Sequence, residues 1–161
     1  MLVFRRCTIP LVTLALALAG MATVAQANDA SVRAAIKAQT PAINQSPQIK
    51  GLLKGAKVKA TKVPALIKLC QTLEGKLDHA AAVVAKTTAS TAQGKAGKSN
   101  WVNGARGLAH GFSQLVIALK DDEHGNKSAG QTEAAAALKT IANADALGVK
   151  ADHELKLSSG S

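Results

Sequence analysis

Tyrosine is absent from this chain, and one tryptophan and two phenylalanines are its whole aromatic complement. The strands of sandwiches and barrels draw on aromatic and β-branched residues to cover their half-buried surfaces, so this composition argues against an all-β architecture. Ala, Leu, Lys and Gln, which are among the better helix formers, fill the chain instead. Cysteine is nearly as scarce, with Cys7 and Cys70 the only two. Long apolar runs are also missing. Residues 11–18 are broken by Thr13 and flanked by Pro10 and Gly20, well short of the roughly 20 residues a bilayer-spanning helix needs.

That short run does fit an export leader. Arg5 and Arg6 form a cationic start, the apolar stretch follows, and Ala25-Gln26-Ala27 matches the small-x-small cleavage rule. The reading is therefore a signal peptide over residues 1–27, a single domain over residues 28–157, and a disordered tail over residues 158–161. The expected location is secreted, periplasmic or in the cell envelope. Arg5-Arg6 lacks the remainder of a twin-arginine signature, since Cys7-Thr8-Ile9 follows. Cys7 precedes the apolar run, where it cannot become a lipidated first residue. After cleavage only Cys70 is left, so no internal disulfide is expected and packing must hold the fold.

Cleavage would leave 134 residues, a length suited to one core. Losing Arg5 and Arg6 takes the 20 basic residues to 18 against 10 acidic ones, a net charge of +8. The fold class read from periodicity is all-α, a small bundle of about four main helices centred on a long antiparallel helical hairpin. Leu66, Cys70, Leu73, Leu77, Ala81 and Val84 recur at steps of three and four and predict a helix over residues 64–89. Trp101, Ala105, Leu108, Phe112, Leu115 and Leu119 repeat the pattern over residues 100–120. The stretch between them, residues 87–99, is rich in Thr, Ser, Gly and Ala and reads as a mobile connection.

The flanking segments are weaker. A first helix is expected over residues 28–39, capped by Asn28 or Asp29, with Val32, Ala35, Ile36 and Gln39 on one side and Pro41 interrupting it. Ser46-Pro47 opens a short second helix over residues 47–56. Gly125-Asn126 is a turn, Ser128 and Gln131 resemble a capping box, and Ala134, Ala135, Leu138, Ile141 and Ala142 give a buried face up to Leu147. Gly148 is the expected C-terminal cap, with a short amphipathic tail over residues 150–157. Gly104, Gly107 and Gly111 share one flank, each at a cost of roughly 1 kcal/mol relative to alanine, which predicts a tightly packed neighbouring helix there.

Charge supplies the functional reading. Residues 28–73 carry Arg33, Lys37, Lys50, Lys54, Lys57, Lys59, Lys62 and Lys68 against Asp29 alone, about +7, while the rest is nearly neutral. Lys50, Lys54, Lys57, Lys59, Lys62 and Lys68 are the candidate polyanion-binding residues. Their partners would be acidic polymers or an anionic envelope surface. Sequence-specific nucleic-acid reading is not expected, because no recognition module and no set of stacking aromatics is present.

Chemistry-bearing motifs are thin. There is no Gly-x-Ser-x-Gly elbow, His-Glu-x-x-His helix, phosphate-binding loop or Cys-x-x-Cys-His attachment sequence. No cofactor and no enzymatic activity are predicted. Cys70 falls on the core stripe, where a thiol is inert. His79 and His110 lie off their apolar stripes and face solvent, and Glu74 and Asp78 read as a solvated pair. One alternative site stands out: Asp121, Asp122, Glu123 and His124 crowd a helix end, where negative charge opposes the helix dipole and a divalent cation would offset it. Their spacing fails the calcium-loop template. This quartet, or a crevice between helices, carries the alternative reading of a small-ligand or metal carrier.

Overall fold

In a computed structural model of the chain, residues 29–43 and 60–157 are described; the leader, the tail and the expected helix over residues 47–56 lie outside them. Four α-helices account for nearly all of the described residues: α1 (Ala30–Ile43), α2 (Val63–Ala85), α3 (Ala92–Glu123) and α4 (Lys127–Leu155). A single 3-10 turn, Ala60–Lys62, leads into α2, and no strand occurs among the described residues. The all-α bundle expected from the sequence is the architecture found.

Both apolar stripes are buried in full. Leu66, Cys70, Leu73, Leu77, Ala81 and Val84 of α2 face Trp101, Ala105, Leu108, Phe112, Leu115 and Leu119 of α3. The two helices run antiparallel, so Val63 and Leu66 at the start of α2 meet Leu119 near the end of α3. Burying a leucine or phenylalanine side chain stabilises by roughly 1.5–3 kcal/mol, and Phe112, Leu77, Leu115 and Leu119 are all fully enclosed. From α1, Val32 and Ile36 join the same core.

The hairpin of α2 and α3 is only one side of the centre, because α3 makes its more extensive packing with α4. This second seam is lined by glycine and alanine. A Cβ on Gly104 would lie 3.0 Å from the Ala144 carbonyl oxygen and 3.3 Å from Gly148 N. One on Gly107 would sit 2.8 Å from Ala144 Cβ, and one on Gly111 would collide with Ile141. The predicted close neighbour of these three glycines is therefore the last helix. The approach is repeated from the other side at Gly130, whose Cβ would come within 2.9 Å of the Ala118 carbonyl oxygen.

Several local expectations are corrected. Helix α1 passes through Pro41 and ends at Ile43. Proline lacks the N–H that would reach the Lys37 carbonyl, so its place inside the helix costs that one bond. The connection expected over residues 87–99 shrinks to residues 86–91, because α3 starts at Ala92. Thr91 caps that start, accepting from Gly94 N–H at 2.8 Å, and Gly97 lies beneath Leu155.

The last helix differs more. It opens at Lys127 with Asn126 at the N-cap and no side-chain capping bond, so the Ser128–Gln131 box does not form. It runs through Gly148 to Leu155, absorbing the expected tail, because the seam with α3 continues across Gly104 and Gly97. Its buried face is Ala134, Ala137, Ile141, Ala144, Ala151 and Leu155; Ala135 is exposed, and Leu138 and Ala142 are half-buried. Both α3 and α4 end in Schellman motifs. Gly125, at φ +85°, and Asn126 close the first onto Asp122 and Asp121. Lys156, at φ +48°, and Leu157 close the second onto His153 and Asp152.

Candidate functional site

Of the six candidate lysines, Lys62 and Lys68 are described and both are exposed, at the entry and first turns of α2; Lys50, Lys54, Lys57 and Lys59 lie outside the described residues. Asp29 is the sole carboxylate within residues 28–73, and only 6% of it is exposed.

Its position is set by the connection between α2 and α3. Ser90 N–H donates to Asp29 Oδ1 at 2.9 Å and Thr91 N–H at 3.4 Å. The Ser90 hydroxyl adds a longer bond at 3.4 Å, and the Thr91 hydroxyl donates to Oδ2. Gly94 leaves the room, since a Cβ there would overlap the carboxyl group. The hydrogen bond from Thr91 is the main reason that the Asp29 carboxyl titrates below its ordinary value, with burial working against it. Asp29 also lies at the N-terminal end of α3, where a negative charge is favoured. A residue expected to cap α1 thus braces the start of α3.

The same connection is held by two further contacts. Ser31 Oγ donates to the Thr88 carbonyl at 3.0 Å, and Lys98 Nζ donates to the Thr87 and Ala85 carbonyls at 2.9 and 3.4 Å. Lys98 supplies positive charge where the end of α2 presents unpaired carbonyls.

Among the alternative residues, Asp121 and Asp122 are half-buried in the last turn of α3, while Glu123 and His124 are exposed. The backbone carbonyls of Asp121 and Asp122 accept from Asn126 and Gly125 at 2.8 and 3.0 Å, so the turn is built by its main chain. No group of three or more His, Cys, Asp and Glu side chains placed to hold a metal ion occurs among the described residues, this quartet included. His79, His110, His124 and His153 are all exposed. Cys70 is buried, and burial together with the Glu74 charge pushes its thiol up to about 11, which keeps it protonated and inert at neutral pH.

No family model matches this chain, and neither does any curated protein or solved structure. Function must be argued from its own residues.

Two carboxylates escape sequence inspection. Asp145, 9% exposed, and Asp152 lie two turns apart on the face of α4 that carries Ile141, Ala144, Ala151 and Leu155. Neither side chain makes a hydrogen bond or ion pair among the described residues. Burial raises Asp145, and burial followed by the Asp145 charge pushes Asp152 up to about 6. Their signal was available, because both fall in register with an apolar stripe at helical spacing. Nearby, Asn100 Nδ2 donates to Glu154 Oε2 at 2.7 Å across the seam.

A pH dependence follows from Asp152. The unfolded chain loses this proton near the ordinary value of 3.8 and the folded chain near 6. Ionisation therefore costs stability above that window, and stability rises as pH falls through it. Asp152→Asn is expected to raise unfolding free energy by about 1–2 kcal/mol at pH 8, after discounting for the solvent a half-buried group retains. It should have no effect near pH 4. Thermal melts of the two proteins at both pH values check this.

Proposed function

We propose that this is an exported, non-catalytic binding protein whose basic N-terminal half contacts an acidic polymer or surface. One observation carries the reading. Asp29, the single carboxylate within residues 28–73, is buried in bonds to Ser90 and Thr91, and the stretch keeps a net charge of about +7. An excess of positive charge concentrates anions at a surface and speeds their capture. The last helix supports the contrast, because α4 alternates lysines with acids along its length, from Lys127 and Glu133 to Lys150 and Asp152. Lysine also suits loose, sequence-independent attraction, since its ammonium is a point charge without arginine's planar fork.

The test is retention on heparin. The protein is expected to elute at clearly higher salt than a helical protein of the same size and neutral charge, and to elute earlier as salt screens the contact. Elution together with the neutral protein would remove the proposal.

A further inference from the structure

The outward face of α2 is divided lengthwise by charge. At 3.6 residues per turn, Lys68, His79 and Lys86 fall within about 20° of one another, and Lys76 lies about 80° round on the same side. All four are exposed, with Thr72 between them. The two acids of this helix, Glu74 and Asp78, fall about 120° and 80° round on the other side of that line from Lys76. With a rise of about 1.5 Å per residue, the line from Lys68 to Lys86 is about 27 Å long.

We infer that this cationic line is a track for a linear acidic polymer lying along α2. The inference rests on the proposed function and names its partner. Lys68, Lys76 and Lys86, strung along one side of a single helix, match a chain of anionic groups better than a flat sheet of headgroups, which would engage cations over a broader face. This side also carries no fully exposed large apolar side chain of the kind a lipid surface would welcome. The large hydrophobic residues exposed among the described residues are Ile117 and Val149, and they sit on α3 and α4. Lys68 continues the basic stretch that begins at Lys50 in sequence.

Heparin fragments of graded length test the track. Affinity should rise with fragment length until the chain spans about 27 Å and then level off. A Lys68→Gln/Lys76→Gln/Lys86→Gln variant with unchanged far-ultraviolet circular dichroism should bind the long fragments at least about tenfold more weakly, with a shallower salt dependence. Unchanged affinity in that variant, while Lys54→Glu/Lys57→Glu/Lys59→Glu/Lys62→Glu loses binding, would overturn the track and leave the proposed function standing. Failure of the unaltered protein to bind any fragment would remove both. Tighter binding to vesicles rich in anionic lipid than to the longest fragment would also overturn the track, in favour of a lipid surface.

Discussion

Gly104→Leu is expected to lower the unfolding free energy by about 3 kcal/mol, the upper end of the usual cost of overpacking. The obstacle is main chain, because the first added carbon would lie 3.0 Å from the Ala144 carbonyl oxygen and 3.3 Å from Gly148 N. A crowded side chain can rotate away, but a carbonyl within a helix can only move with its helix, so α3 and α4 would have to part. Leucine's better helix propensity returns roughly 1 kcal/mol, and the net effect stays strongly unfavourable. Gly75 provides the control. It is exposed on α2 with nothing within 4 Å of a Cβ, so Gly75→Ala should raise stability by roughly 0.5–1 kcal/mol. Urea titrations of the three proteins measure both effects, and equal responses at the two glycines would contradict the close seam.

Asp29→Ala is the other large effect, at about 3 kcal/mol. It removes the acceptor for the main-chain N–H groups of Ser90 and Thr91 and for both hydroxyls. These bonds are part-buried, and bonds to a charged acceptor are the stronger kind. The cavity is small, so packing contributes little and the loss is electrostatic. The sign with pH is opposite to that of Asp152. Because the folded state holds the Asp29 carboxyl below its ordinary value of 3.8, its stabilisation is complete above that value and disappears as pH falls through the lowered one. Stability should therefore rise from pH 8 toward about 4 as Asp152 gains its proton, then drop below that as Asp29 does. In Asp29→Ala the decline at low pH should be reduced, and an unaltered decline would assign it to other groups.

Where one periodic face decided the outcome, sequence and structure agree. The stripes of α2 and α3 are buried at every one of their twelve positions, because leucine-rich steps of three and four have one apolar side to hide. The glycine flank at 104, 107 and 111 also carried its meaning openly, since three costly residues on one side need a packing partner to justify them. Alanine-rich α4 was harder. Its small side chains make almost any face admissible, and the face it buries is chosen by where α3 leaves room, which moved burial from Ala135 and Ala142 to Ala137 and Ala144. The starts and stops of α3 and α4 were misplaced for a related reason. Glycines that look like breakers at Gly94 and Gly97 sit at close contacts with Asp29 and Leu155, and Gly148 offers its backbone N to the seam 3.3 Å from where a Gly104 Cβ would lie.

The candidate site divides along the same line. A net charge of about +7 over residues 28–73 can be counted from the letters, but the fate of the one opposing acid cannot. Asp29 and Ser90 are 61 positions apart, and only the folded chain brings them together. Asp145 and Asp152 differ, because both fall in register with the apolar stripe of α4 and that spacing can be read from the letters.

The most direct test compares two variants of equal net charge. In the first, Lys54, Lys57, Lys59 and Lys62 become glutamate; in the second, Lys120, Lys127, Lys139 and Lys150 do. If the basic N-terminal half is the binding face, heparin retention collapses in the first and persists in the second, with helical content unchanged in both. Equal loss in the two would mean that total charge, not its location, governs binding, and would contradict the account.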